Sequence, residues 1–267
     1  MAFVANATAD IDAQSQYKTI ITICIVMSTL SLFIVGARLG IRTMHSSTAT
    51  DDWMSLLSLL FAIAYSALNL ITYTRVNYAG RPVYQLGISF FKIALLISYL
   101  RLLRGTDRKA YRMAIWLTIV FVSCSHLSTA LLLLFSCNPI DKSWNPLKSG
   151  TCLPTGASFT AYAAVTITSD VLVTVLPIPI LYSLNIRVEK KVGLIGSFTL
   201  GLFTTLCSIL RYQQINRIQF GDGNSTMLVV WGVIEFHVGT MVSSLPLSAA
   251  HMHAPRQRLP FQATGIR

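Results

Sequence analysis

The sequence predicts an all-α polytopic membrane protein, a seven-transmembrane helix bundle with its N-terminus outside. Three observations carry that prediction. Over the 267 residues, 53% are hydrophobic and only 12% charged, with a mean hydropathy of +0.60, well outside the range of a soluble domain. Several uncharged runs match the ~20 helical residues that cross a ~30 Å hydrocarbon core. The connections between runs are short and polar. Residues 19–250 therefore read as one membrane-embedded domain between a short outer N-terminus, 1–18, and a short inner tail, 251–267. A barrel does not fit, because the runs exceed the ~9–11 residues of a barrel strand and lack its alternation.

Lys and Arg outnumber Asp and Glu by 21 to 10, a net charge of +11. The basic residues fall in the connections rather than in one patch, as the positive-inside bias places them. Membrane lipid, not nucleic acid, is the expected partner.

In chain order, residues 1–18 show no basic, apolar and cleavage-site pattern, so the first span is expected to act as its own insertion signal. Span 1 is Thr19–Ala37, closed by Arg38 and Arg42, with Gly36 and Gly40 spaced for a close helix approach. Thr50 or Asp51 reads as the N-cap of span 2, with Asp51 and Asp52 at its positive end and Trp53 at the interface. Span 2 runs to Thr74, its Tyr65, Asn69 and Thr72 marking an inward face.

Arg75–Pro82 reads as a short connection. Span 3, Val83–Leu100, carries Gln85, Ser89, Lys92 and Tyr99 on one face. Arg101, Arg104, Arg108, Lys109 and Arg112 then form a strongly basic connection, a candidate contact for an inner partner. Span 4 is Met113–Phe135, with Ser123 and His126 a turn apart. Span 5 is Phe159–Leu184, aligning Thr166, Asp170 and Thr174 before Pro177 and Pro179. Span 6 is Val192–Leu210, capped by Arg211, and span 7 is Met227–Ala250, containing Glu235.

Orientation follows from charge. With the N-terminus outside, thirteen Lys and Arg lie on the inner side and seven on the outer, with Lys92 within the membrane. The glycosylation sequons at Asn6 and Asn224 fall outside. So do Cys137 and Cys152, which an oxidising compartment would join. Cys24, Cys124 and Cys207 lie within spans and read as packing residues.

The residues also carry a resemblance. Asp51-Asp52-Trp53 opens span 2. Lys92 is followed by Tyr99-Leu100-Arg101, then Phe135-x-Cys137-x-Pro139, Trp144 and Cys152. Asp170 precedes Leu176-Pro177-Ile178-Pro179, Ser208-Ile209-Leu210-Arg211 closes span 6, and Trp231, Glu235 and Pro246 lie in span 7. In order and spacing this set resembles the fungal rhodopsin-domain family of seven-span membrane proteins. That family occurs among receptor-like surface proteins and in natural-product clusters such as that for satratoxin. The chain departs from it between spans 2 and 3. There the family has a longer loop with a Gly-Leu-Gly-type turn and a His, so a family-like lid lacks support at Arg75–Pro82. Span 7 contains no Lys for a retinal Schiff base, and no cofactor is expected.

The candidate site is the set of charges inside apolar spans: Lys92, Asp170 and Glu235, with Arg211 bringing the formal sum to zero. A charge at the centre of a span costs roughly 2.5–3.5 kcal/mol, so three unpaired ones would cost about 8–10 kcal/mol. They are expected to be neutralised by one another, by protonation or by a wet cavity. One reading is a ligand site or proton-transfer pair with Lys92 between the two acids; the other is a salt-bridge network that fixes helix register. His126 is a further candidate beside them, but no histidine pair shows metal-ligand spacing, and no hydrolase triad, phosphate loop or Cys-x-x-Cys is present. The leading functional expectation is a sensor, or an accessory of secondary metabolism, that binds a lipophilic small molecule. The alternatives are an intramembrane cyclase or isomerase with Asp170 and Glu235 as its acids, and a proton-coupled transporter.

Overall fold

The computed structural model describes residues 17–44, 48–70, 74–103, 109–145, 147–179, 188–220 and 226–251. The sequons at Asn6 and Asn224, Thr72, Arg104, Arg108 and the 252–267 tail lie outside the described residues. Seven helices are described: α1 Tyr17–Met44, α2 Thr50–Leu70, α3 Thr74–Leu102, α4 Lys109–Leu134, α5 Thr155–Val175, α6 Val188–Phe220 and α7 Thr226–His251. All but α5 are long and apolar enough to cross a membrane; the apolar part of α5, Thr160–Val175, is shorter. A turn at Leu176–Pro177 follows α5. Pro177 has no N–H to continue the helical ladder there.

Side-chain pairing fixes the helix directions. Arg38 of α1 meets Asp51 of α2, while Ser31 of α1 and Ser66 of α2 meet the same His237 ring, so α1 and α2 are antiparallel. Ser58 and Ser66 of α2 meet Thr240 and His237 of α7 in opposite order. Tyr78 donates to the Leu134 carbonyl while Gln85 donates to Thr129 at 2.6 Å, so α3 and α4 are antiparallel. Tyr99 bonds Ser197 while the Arg211 guanidinium lies over Tyr84, making α6 antiparallel to α3. Arg211 also reaches Tyr162 and Ser208 reaches Asp170, making α6 antiparallel to α5. Direction therefore alternates from α1 to α7, and a chain that reverses after each helix produces this all-α bundle.

α3 is the axis. Gln85, Ile88, Lys92, Ala94, Leu96 and Tyr99 are buried on every side of it. Two glycines let α3 and α7 interlock. A Cβ on Gly87 would lie 2.0 Å from Phe236 Cζ, and one on Gly239 would lie 2.5 Å from Phe91 Cζ. Each helix thus inserts a ring where the other has no side chain. The outward faces carry Phe33, Trp116, Leu117, Val120, Leu202 and Leu206, apolar surface that only lipid covers comfortably. Beyond α4, β1 Cys137–Asn138 pairs antiparallel with β2 Thr151–Cys152, and a disulfide joins Cys137 to Cys152. Trp144 sets this hairpin on α3 by packing edge-on against Tyr78, with ring centroids 5.3 Å apart.

Several boundaries differ from the sequence expectation for one reason: a charge ends an apolar run but not a helix. Arg75–Pro82 is not a connection; it is the start of α3, with Pro82 inside the helix. Arg38 and Arg42 do not close α1, which continues to Met44, and Arg211 does not cap α6, which continues to Phe220. Each of these arginines is buried against carboxylates, so the helix passes through it. Gly36 and Gly40 meet nothing within 4 Å and make no close approach among the described residues. Of the three span cysteines, Cys24 and Cys207 are buried but Cys124 is exposed.

Candidate functional site

The four intramembrane charges form two pairs rather than one cluster around Lys92. Lys92 Nζ lies 3.0 Å from Asp170 Oδ1 and joins α3 to α5. Arg211 Nε lies 3.2 Å from Glu235 Oε2 and joins α6 to α7. All four residues are buried. Ser208 couples the pairs, donating to Asp170 Oδ2 at 2.7 Å from a position one turn before Arg211. One pair alone would leave two helices free to slide; together they tie four.

The Lys92 end is closely specified. Lys92 donates to Ser169 Oγ at 2.6 Å and lies 3.3 Å from the Thr166 carbonyl. Ser169 donates to that same carbonyl at 2.8 Å. His126 Nε2 lies 3.1 Å from the same hydroxyl. Its Nδ1 is buried without a hydrogen-bond partner. Gln85 lies on the α4 side of α3 with its Oε1 likewise unpartnered. A cavity of about 10 Å³ touches Lys92, Asp170, Thr174, Gly201 and Gly239, roughly the space for one water.

The Arg211 end is aromatic. Its guanidinium lies over the rings of Tyr84 and Tyr162 at 4.5 and 5.0 Å and donates to Tyr162 Oη. Tyr65 packs on Tyr84 at 4.9 Å, and Gly232 leaves room for the Tyr65 hydroxyl. Nε of Arg211 is close enough to Glu235 for an ion pair but not aligned for a hydrogen bond. Both Glu235 oxygens, and the Tyr84 hydroxyl, are buried without a hydrogen-bond partner. Unmatched acceptors thus outnumber donors here, and a hydroxyl or water would complete them.

Two further polar clusters were not legible as sites in the sequence. At the opposite end of the bundle Asp51 and Asp52 are buried against Arg38 and Arg42, at distances from 2.5 to 3.0 Å. Arg38 also donates to the Ser243 carbonyl of α7, and Arg101 reaches Asp51 at 3.5 Å. The aspartates, expected to serve the α2 N-terminus alone, are the hub of an ionic clasp of α1, α2, α3 and α7. The arginines, expected to set topology, are its other half. Separately, His237 of α7 sits between Ser31 of α1, 2.8 Å from Nδ1, and Ser66 of α2, 2.9 Å from Nε2. The i, i+4 spacing of Arg38 and Arg42 and the adjacent acids were the available signal for the clasp. Single serines gave none for the histidine. Among the described residues no group of three His, Cys, Asp or Glu is placed to hold a metal.

Comparison with known proteins accords with this architecture. Over 174 residues the chain is 27% identical to an SAT4 family membrane protein of Emericella nidulans, covering 65% of this chain and 44% of that one. It is 29% identical to Satratoxin biosynthesis SC1 cluster protein 4 of Stachybotrys chartarum, over 62% of this chain and 60% of that protein. With Receptor GIN3 of Arthrobotrys oligospora it shares 23% identity over 85% of this chain and 60% of the receptor. The chain thus spans about half the length of the curated relatives it matches. No solved structure matches. The model of the Fungal rhodopsin domain matches residues 37–254, which takes in the clasp, both ion pairs and the hairpin; the chain belongs to the fungal rhodopsin domain family of membrane proteins.

Proposed function

We propose that the chain is a seven-span membrane protein, N-terminus outside, that binds a lipophilic small molecule as a sensor or accessory of secondary metabolism. The observation that carries this reading is the coupling of the Tyr84–Arg211–Glu235 aromatic cluster to Lys92–Asp170 through Ser208. A molecule that rearranged the Arg211 end would move α5, α6 and α7 against α3, which is what a sensor needs. The alternating helix directions support seven crossings, with the Cys137–Cys152 hairpin and the sequons at Asn6 and Asn224 on the outer side. Two relatives bear names of matching sense, a satratoxin cluster protein and a receptor. The basic inner face, where Lys109 and Arg112 are exposed, suits a cytoplasmic partner.

The enzyme reading asks Asp170 or Glu235 to give up a proton in turn. Asp170 already has both oxygens engaged, Oδ1 by Lys92 and Oδ2 by Ser208, which leaves neither turned towards a substrate. The test is to supply candidate pathway intermediates to membranes containing the chain and follow both binding and products by mass spectrometry. Saturable binding without conversion, weakened by E235Q, is the expected outcome. Conversion that disappears in D170N or E235Q would replace the sensor with an intramembrane enzyme. Binding unchanged in both variants, with only thermal stability lowered, would leave the pairs a purely structural network.

A further inference from the structure

The ionic clasp is uneven, and the unevenness has a shape. Arg38 uses every guanidinium nitrogen: Nε on Asp52, Nη2 on Asp51 and Nη1 on the Ser243 carbonyl. Arg42 uses one. Its Nη1 serves Asp52 at 2.5 Å and Asp51 at 3.0 Å, while Nε and Nη2 are buried with no acceptor. Those two nitrogens form one edge of the planar group, the same edge by which Arg38 grips its carboxylates. They present two parallel donors at the spacing of two oxygens on phosphate or carboxylate. Buried donors of a charged group are costly to leave unmatched.

Charge gives a second, independent indication. Among the described residues three guanidinium groups, Arg38, Arg42 and Arg101, face two carboxylates, a surplus of one positive charge there. Arg38, Arg42, Asp51 and Asp52 are each at most 2% exposed, so solvent does little to screen that surplus. The C-termini of α1 and α3 favour a cation, but the N-terminus of α2 opposes one. The ion pairs among the described residues bring no third carboxylate to the cluster.

Position then selects the anion. Arg101 touches Asp51 only at 3.5 Å, and its side chain is 24% exposed. Trp53, 66% exposed, stands beside the cluster at the start of α2, and indoles favour the headgroup level of a bilayer.

We propose that this end of the bundle binds the headgroup phosphodiester of an anionic phospholipid, gripped side-on by Arg42 Nε and Nη2 and from outside by Arg101. A choline headgroup brings its own cation and cannot offset the surplus, so a net-anionic lipid is required. The inference rests on the membrane reading but on no particular orientation. With the N-terminus outside, the site lies in the cytoplasmic leaflet, where anionic lipid is concentrated.

The full chain is tested in nanodiscs of phosphatidylcholine alone and of phosphatidylcholine mixed with phosphatidylglycerol. A higher thermal midpoint is expected in the mixed discs, with phosphatidylglycerol retained on the protein in native mass spectrometry. R42K keeps the charge and a donor for the aspartates but lacks the forked edge, and should weaken phosphatidylglycerol binding about tenfold. R112Q, outside the clasp, should change it by no more than about twofold. Equal midpoints in the two discs would overturn the proposal. So would equal losses in R42K and R112Q, which mean diffuse attraction, or the same stabilisation from inorganic phosphate in phosphatidylcholine discs, which means a soluble anion. Should R42K fail to fold, R101Q carries the test, and undiminished phosphatidylglycerol binding in it overturns the site. Because no small-molecule ligand enters these measurements, their failure leaves the sensor reading untouched.

Discussion

Lys92 and Asp170 offset each other's charge inside the bundle, 3.0 Å apart. Lys92→Met leaves Asp170 with Ser208 as its remaining hydrogen-bond partner, and removing one member of a buried pair costs about 3–5 kcal/mol. The double change Lys92→Met with Asp170→Leu removes both charges at similar volume and should recover most of that loss. Thermal unfolding of the two variants in one detergent checks this; a double variant no better than the single would mean the pair is not the relevant partner. At this scale the sequence was informative about which residues are unusual and poor at matching them. Lys92, Asp170, Arg211 and Glu235 stand out because a charge in an apolar run is costly wherever it points. Their division into two pairs depends on how helices rotate against one another, which no single run encodes. Arg38, Arg42, Asp51 and Asp52 were misread for the opposite reason. Near the ends of spans, charge is ordinary, and nothing local reveals that it is buried.

At the scale of elements, α3 and α7 interlock at Gly87 and Gly239, whereas the Gly36 face of α1 meets nothing among the described residues. Gly87→Ala would drive a Cβ to 2.0 Å from the Phe236 ring, an overpacking that costs at least ~1–3 kcal/mol and should lower the unfolding midpoint. Gly36→Leu, with nothing within 4 Å, should leave stability nearly unchanged. A midpoint lowered as much by the second as by the first would show that α1 packs there against another chain. The hairpin offers a separate test. Cys137 and Cys152 close a loop with a sequence separation of 15, worth roughly 3 kcal/mol in the chain-entropy model, so Cys152→Ser should lower the midpoint under oxidising conditions. Under reducing conditions wild type and variant should coincide. Helix number and order were readable from hydropathy, because lipid forces apolar runs of similar length. The ends were not, because an arginine with a partner lets a helix continue beyond the hydrocarbon.

For the whole molecule, one bundle carries three polar levels: the tyrosine-lined Arg211–Glu235 end, the central Lys92–Asp170 pair and the clasp. Orientation decides which compartment each addresses. With the N-terminus outside, Asn6 and Asn224 become glycosylated in a fungal host, and a glycosidase shifts the chain on a gel by two glycans; N6Q and N224Q each remove one. An unshifted wild-type band, with a tag on the tail reached by protease only from outside, would reverse the orientation. The reversed chain would present the clasp to the outer leaflet, where anionic lipid is scarce.

The pairing of α3 with α5 also has a consequence for how the protein is made. Lys92 is synthesised 78 residues before Asp170, an interval of about 4–16 s at ordinary elongation rates of ~5–20 residues per second. Throughout that time α3 must wait with an unmatched ammonium, at the insertion machinery or in a wet gap beside it. Arg211 and Glu235, only 24 residues apart, meet almost as soon as α7 emerges. Biogenesis therefore has one slow step, the arrival of α5. Ribosomal pausing between α4 and α5 should send nascent chains to membrane quality control, while pausing after α6 should be tolerated.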